Sequence, residues 1–382
     1  MKQPNRPDSK TILVAGIDTV RHKNLHQFRS LEKHGYKFII LTTDLLGDSA
    51  DVLGETSNVC LVTTKYGFKG VLFLMALLRI LLTNRIDIAE IYPYSFGTML
   101  ATAMIKLFRI PTASVARGEE FYYLDGKMTP SMEFAFEKTY KLVDHVIYKE
   151  LYATDFLDKM GKDSRFLLSN AVNVPDQQHT QNSQSCTFLF LNSMKHFRHP
   201  ETPLKAFLEI CAERKLGSDS PYQLQLVGFQ GEGAPEEIAK KEAEINEIMK
   251  GVDAPVQLIP WTSDSASRLN DADIFLLPAD VVYLNYSLLE AMARNLVPMV
   301  QDAPGAELIL DDRKEGFILQ NDVSAWKKAM ESAMDDYSMR CEMGAAARKK
   351  VESDFSIEAY ERKYCSIYET ILNPISQSKK NQ

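Results

Sequence analysis

The chain has 382 residues, of which 45% are hydrophobic and 25% charged, with 18 Gly and 16 Pro. These ordinary globular proportions exclude a collagen, a coiled coil, a disulfide-stapled miniprotein and bulk disorder. The length fits about two domains, each long enough to bury a core.

The net charge is −7, from 44 basic and 51 acidic residues, and argues against a general nucleic-acid binder. It is unevenly spread. Residues 1–172 carry 22 basic and 19 acidic groups, net +3; the remainder carries 22 and 32, net −10. Different charge fits different partners for the two halves; drift among surface residues is the alternative. The cysteines Cys60, Cys186, Cys211, Cys341 and Cys365 form no Cys-x-x-Cys pair. That spacing fits buried free thiols in a reducing, cytoplasmic compartment and not a metal site. Met1–Lys10 is polar and lacks the apolar run of a signal peptide.

Short β-branched runs predict strands at Thr11–Gly16, Lys37–Thr42, Val59–Thr63, Ile86–Ile91, Pro111–Val115, His145–Tyr148 and Phe166–Leu168. Helical spacing falls between them at Asn24–His34, Val71–Leu82, Gly97–Phe108, Met132–Val143 and Tyr152–Met160. Val71–Leu82 (VLFLMALLRILL) is about half the length of a membrane span and is interrupted by Arg79. Two readings stand for it. One is a core-facing helix. The other is an interfacial helix, flanked by Lys65, Lys69, Arg79 and Arg85, that touches anionic lipid.

Asn173–Ser185 is polar, contains Pro and has no periodicity, so it reads as a linker. The alternation then restarts. Strands are expected at Thr187–Leu191, Gln223–Val227, Val256–Leu258, Ile274–Leu277, Val297–Val300 and Phe317–Leu319. Helices are expected at Glu201–Glu213, Glu236–Met249, Ser265–Asn270, Leu288–Arg294, Val323–Met334, Ser338–Glu352 and Ile357–Leu372. The fold class is therefore α/β: two doubly wound Rossmann-like domains facing each other across a cleft.

Within the second half, Asp271–Pro278 (DADIFLLP), Leu288–Ala293 (LLEAMA), Val297–Val300 (VPMV), Gly305–Ile309 (GAELI), Glu315–Leu319 (EGFIL) and Asp322–Trp326 (DVSAW) occur in a telling order and spacing. They resemble the nucleotide-sugar glycosyltransferases of family four, which have the two-domain GT-B fold. Leu168–Val174 looks like that family's interdomain crossover, and Phe355–Leu372 like its last helix. The resemblance implies an acceptor-binding domain over 1–172 and a nucleotide-sugar-binding domain over 173–354. Residues 355–382 would hold a helix returning to the first domain, then a polar tail.

The residues of this block support an anion site independently. An apolar strand, a loop and a helix N-terminus direct unpaired N–H groups, here those of Ser287 and Leu288, at a ligand such as a diphosphate. A Glu in a first helical turn is ordinarily a partner of the helix dipole. The resemblance makes Glu290 the acceptor of ribose hydroxyls. The family's further Glu, eight residues earlier, is Val282 here, and Asp280 is the stand-in. The Gly expected after the Glu-Ala-Met-Ala run is Asn295. Gly228 follows a strand and borders the donor in the resemblance, with Gly231 and Gly233 after it and Trp261 either lining a base pocket or packing in a core.

A departing diphosphate needs positive charge, and the loop after Thr187–Leu191 offers Lys195 and Arg198, with His199 beside them. A solvated basic loop is the alternative. In the first half, Arg21, His22 and Lys23 follow strand one after Gly16 and suit an acidic or phosphorylated acceptor; an exposed basic helix start is the alternative. Arg117, Glu119 and Glu120 follow another apolar strand, where the family has a residue near the sugar, so Arg117 joins Lys195 and Arg198 as a catalytic candidate. His145 reads as structural. Asp271–Asp273 looks like a metal motif but precedes a buried strand.

The resemblance implies a retaining transfer of a sugar from a nucleotide-diphosphate donor to an acceptor hydroxyl in glycan or glycoconjugate synthesis. The nucleotide sugar is then a substrate, with no cofactor and no metal. The partners are that donor and a carbohydrate or lipid-linked acceptor, with no nucleic acid. The location is cytoplasmic, with peripheral membrane contact through the first domain. The alternative from another class is a catalytically degenerate GT-B sugar-binding or scaffold protein, favoured by Val282.

Overall fold

The computed structural model describes residues 9–20, 28–45, 59–61, 69–93, 95–116, 119–124, 126–149, 151, 153–176, 179–282 and 285–373. The chain divides into two units, residues 1–168 with 361–382, and residues 169–360.

The first unit holds strands β1 (Lys10–Val20), β2 (Tyr36–Leu45), β3 (Val59–Leu61), β4 (Ile88–Ile91), β5 (Thr112–Val115), β6 (His145–Tyr148) and β7 (Arg165–Leu167). They form one parallel sheet in the order β3-β2-β1-β4-β5-β6-β7. The second unit holds β8 (Cys186–Leu191), β9 (Tyr222–Phe229), β10 (Val256–Pro260), β11 (Ile274–Leu277), β12 (Val297–Gln301) and β13 (Phe317–Leu319). Their parallel order, β10-β9-β8-β11-β12-β13, repeats the pattern of the first sheet. Both are Rossmann-like, as the alternation of strand and helix predicts. In each, the strand order reverses at one point: between β1 and β4, and between β8 and β11. Ligands of such sheets bind outside the carboxyl ends of the strands at that reversal.

Strands of the second sheet are apolar on both faces because helices cover both. Phe188, Phe190, Leu224, Leu226, Ile274, Leu276 and Met299 point into one core. The alternate residues Leu189, Leu191, Val227, Phe275, Leu277 and Val300 point into the other. This is the two-residue period of a strand. Helix Val323–Asp335 closes the first of these cores with Trp326, which is fully buried.

The described residues of the segment expected as a linker are packed into the second unit. Residues 169–185 belong to the second unit. Val172 bridges to Ser356, and His179 Nε2 lies 2.9 Å from the buried Asp273. Gln181 is buried, and its Oε1 accepts from Arg340 Nε at 3.1 Å. The Arg340 guanidinium also donates to the carbonyls of Asn182, Ser185 and Ala333. Polar residues that look like linker in the sequence are partners for a buried cation. Asp273 is accordingly a residue of the fold: its second oxygen takes the amide of Thr187 at 2.8 Å.

The first unit buries an acidic side chain of its own. Glu90, on β4, is fully buried and takes hydroxyls from Tyr364, Tyr368 (2.6 Å) and Tyr92 (3.3 Å). Tyr364 and Tyr368 lie on helix Ile357–Leu372, whose residues from Glu361 onward belong to this unit. Tyr368 also packs on Tyr36 at 4.9 Å between ring centroids. Burial of a carboxylate is tolerated where hydrogen bonds replace its water.

Candidate functional site

The second unit presents four loops at the carboxyl edge of its sheet, after β8, β9, β11 and β12. The β8 and β11 loops are tied together. Arg198 forms an antiparallel bridge with Ala279. The amide of His199 donates to the Pro278 carbonyl at 2.8 Å, and that of Asp280 to the Phe197 carbonyl at 3.0 Å. The β9 loop is drawn in as well. Gly228 has φ +133°, and a β-carbon there would overlap the carbonyl of Asn192. Gly228 is thus required by close packing of one backbone on another, and its place against a ligand is not what demands glycine.

Arg198 is the cation of this edge. Its Nη1 donates to the carbonyl (3.2 Å) and the hydroxyl (3.3 Å) of Ser193. Its guanidinium lies over the Phe197 ring, 5.5 Å from the centroid. No carboxylate pairs with it among the described residues, and Nε and Nη2 make no bond there. Burial pulls its pKa down to about 10, which leaves it charged at neutral pH. A half-buried guanidinium with open donors and no acid is a site for an anion. Lys195 is exposed and stands over the other reach of the same ring, 5.9 Å from its centroid.

The helix after β11 begins earlier than its apolar spacing indicates. It runs Tyr286–Met292, with Asn285 as N-cap. Asn285 Oδ1 accepts the Leu288 amide at 3.1 Å, a cap that contributes about 1 kcal/mol. The Leu288 N–H is therefore taken by the protein, and Leu288 itself is buried. The amide of Ser287 keeps the role of an open donor among the described residues. The cap residue also reaches the β8 loop: Asn285 Nδ2 is 3.5 Å from Asn192 Oδ1. Asn192 Nδ2 is buried without a partner among the described residues, an open donor at the point where the strand order reverses.

Because of the earlier start, Glu290 sits in the second helical turn, away from the helix dipole's strongest field. Its carboxylate makes no hydrogen bond or ion pair among the described residues. Burial raises its pKa, and the charge of Arg294 pulls the other way. Such a group gains from hydroxyl donors supplied by a ligand.

Val282 fills the position of the missing acid, and the structure gives the reason for an apolar residue. It is fully buried in the core beneath the loop, and its amide donates to the Pro304 carbonyl at 3.1 Å. A carboxylate there would be buried among apolar groups. The acid of this loop is Asp280, whose side chain is half exposed. His199 does not stand free beside Arg198; it lies between Asp280 (2.7 Å) and Glu201 (3.3 Å).

In the first unit, Gly16 takes φ +93° in the bulge of β1, and a β-carbon there would meet the Tyr92 carbonyl. Arg21, His22, Lys23 and Arg117, and the side chain of Glu119, lie outside the described residues. Residues Glu119–Leu124 form a short helix after β5. This turns Glu120 inward: it is buried and accepts the Tyr140 hydroxyl, so it serves the core and is withdrawn from an acceptor. His145 bonds Ser164 at 2.6 Å, as a structural residue. Trp261 is 63% exposed and does not pack in a core.

Residues 174–350 match the family described as glycosyl transferases group 1. A 118-residue stretch is 29% identical to the capsular polysaccharide biosynthesis glycosyltransferase CapM of Staphylococcus aureus, covering 31% of this chain and 31% of that protein. A glycosyltransferase from Rickettsia africae superposes with a TM-score of 0.70 over 98% of this chain and 100% of that one, at 15% identity. HepE of Anabaena, solved in complex with UDP, gives a TM-score of 0.70 over 94% of this chain and 100% of that one, at 10% identity. The architecture is that of the GT-B enzymes, two Rossmann-like α/β units in one chain.

Proposed function

We propose that this chain, a member of the group 1 glycosyl transferases, moves a sugar from a nucleotide-diphosphate donor to an acceptor hydroxyl with retention at the anomeric carbon. The observation that carries the donor assignment is Arg198, a charged guanidinium without an acid at the carboxyl edge of β8 and β11. In this reading Arg198 and Lys195 neutralise the departing diphosphate, where negative charge grows. The amide of Ser287 meets the same phosphates, and Glu290 accepts the ribose hydroxyls. The bond from the anomeric carbon to the phosphate oxygen breaks as that from the acceptor oxygen forms, on the same face. The acceptor's proton passes to the diphosphate, so no protein nucleophile and no metal enters the scheme. Arg21, His22, Lys23 and Glu119 are assigned to the acceptor side, a carbohydrate or lipid-linked hydroxyl, and Arg117 stays with the transfer itself.

The reading is tested by a thermal-shift screen of nucleoside diphosphates and their sugars. A ligand of the native state raises its stability as RT ln(1 + [L]/Kd). One base should stand out, with uridine the first to try given UDP in HepE. A chain that responds to none of them, and hydrolyses no nucleotide sugar, overturns the reading.

A cytoplasmic location at the membrane face belongs to the same proposal. No helix among the described residues is long and apolar enough to cross a membrane. Helix Lys69–Thr83 buries Phe73, Leu77, Ile80 and Leu81, yet exposes Val71, Met75, Leu78 and Leu82. The exposed set recurs every three to four residues, one stripe of the helix. Arg79 lies on its exposed surface, and Arg85, just past its end, is 89% exposed. An apolar stripe edged by cations fits the interface of an anionic bilayer.

A further inference from the structure

Asp280 is held by one of its two oxygens. Oδ1 lies 2.7 Å from His199 Nε2 and 3.3 Å from Gln301 Nε2. Oδ2 has no partner among the described residues, and the side chain is half exposed. The main chain at Asp280 is fixed too, by its amide bond to Phe197 and by the bridge at Ala279.

The two groups that hold Oδ1 are themselves fixed. His199 Nδ1 is 3.3 Å from Glu201 Oε1, which also takes the Lys241 ammonium at 3.0 Å. Both ring nitrogens face carboxylates, and only the imidazolium donates from both. The hydrogen bond to Glu201, with that to Asp280, raises the His199 pKa against the opposing effect of burial. Gln301 ends β12 and is 6% exposed; its Oε1 is buried without a partner among the described residues. A lone surface carboxylate turns among its rotamers and loses that freedom on binding. Here the freedom is already removed, by an imidazolium from the β8 loop and an amide from β12.

The free oxygen is an acceptor only. It repels the diphosphate, which offers acceptors and negative charge. The parts of a nucleotide sugar that donate are its hydroxyls and the N–H groups of its base. The ribose hydroxyls are assigned to Glu290, which leaves the hydroxyls of the transferred sugar and the base; a base contact would be shared by the bare diphosphate, a sugar contact would not.

We propose that His199 and Gln301 are positioning residues that lock Asp280, so that its free Oδ2 accepts a hydroxyl of the transferred sugar and selects it. The proposal rests on the donor reading above. It explains how the β11 loop reads a sugar while Val282 is turned into the core.

The test uses the full chain and compares affinity for a nucleoside diphosphate with that for its sugar, in calorimetric titrations with UDP, GDP, ADP and dTDP and their glucose conjugates. For the pair that binds, Asp280→Asn should weaken the nucleotide sugar about tenfold or more and leave the bare diphosphate within about twofold. His199→Leu should do the same, and His199→Gln, which still offers an N–H, should recover most of the loss. Retained diphosphate affinity shows that each variant is folded. Equal weakening of both ligands, or an unchanged ratio in Asp280→Asn or His199→Leu, overturns the proposal. Failure of His199→Gln to recover the loss overturns the positioning role. A wild-type chain that binds none of the four pairs sinks the donor reading, and this proposal with it.

Discussion

The carbonyl of Asn192 occupies the space that a β-carbon on Gly228 would need. This contact sets the spacing of the β8 and β9 loops at the edge proposed to hold the donor. Gly228→Ala must push the Asn192 carbonyl away and also place a side chain at φ +133°. Overpacking and such backbone strain each cost about 1–3 kcal/mol. We expect a lower urea midpoint and weaker nucleoside-diphosphate binding. An unchanged midpoint would show that the loops yield freely.

Arg198 tests the chemistry apart from the fold. Its guanidinium has neutral partners only, so Arg198→Ala removes a buried charge and strands no acid. Stability should hold or rise, while turnover falls by about 10²–10³, the scale for losing one oxyanion donor. Arg198→Lys restores charge without the planar fork and should recover only part of the rate. The contrast is read from steady-state kinetics beside a melting curve. Activity within twofold of wild type in Arg198→Ala would remove the residue from the mechanism.

Much of this was legible in the sequence because its signals are local. Ile274–Leu277 is wholly apolar between Asp273 and Pro278, and a parallel strand covered on both faces needs that. The basic loop of Lys195 and Arg198 follows such a strand and so lands at the sheet's carboxyl edge. What stayed hidden depends on distant partners. Glu90 is an acid within a predicted strand, and its phenolic partner Tyr364 lies 274 residues away. The His199–Asp280 pair spans 81 residues. Glu120 looks like an exposed acid after a strand until Tyr140 takes it. The two-residue error at the Tyr286 helix is of another kind: Asn285 is a strong cap, but the apolar period begins only at Leu288.

Arg340 should be among the costliest residues to remove from the second unit. It is 1% exposed and holds the carbonyls of Asn182, Ser185 and Ala333 and the amide oxygen of Gln181. Arg340→Ala leaves these buried acceptors unmet, at about 1–3 kcal/mol each where water does not replace the lost bond. The segment 179–185 should then loosen. Limited proteolysis of the variant should cut there first, and a cleavage pattern identical to wild type would contradict the staple.

The exposed stripe of helix Lys69–Thr83 makes a prediction about surfaces. Met75 is 61% and Leu78 40% exposed, so charge at either position leaves the core intact. The double change Met75→Glu and Leu78→Glu should keep the melting temperature and abolish co-sedimentation with vesicles containing phosphatidylglycerol. Wild-type chain should sediment with these vesicles less as salt rises, because Arg79 and Arg85 contribute through screened charge. Equal sedimentation of variant and wild type would remove this face from the membrane.

Glu290 joins stability to binding with opposite signs. Its carboxyl is raised above the ordinary 4.5, first by burial, so protonation is easier in the folded chain than in the unfolded one. The stabilising contribution of that proton is fully present below pH 4.5 and is lost as pH rises through the raised value. At neutral pH the ionised group therefore weighs against the ligand-free fold. Glu290→Gln should melt higher than wild type at pH 7, with the gap closing as pH falls towards 4.5. The same change should weaken nucleoside-diphosphate binding by about tenfold, because ribose hydroxyls lose a charged acceptor. A site residue kept against its own stability is the signature of selection for a ligand. If Glu290→Gln melts lower and binds equally well, the carboxylate serves the fold and the ribose assignment falls.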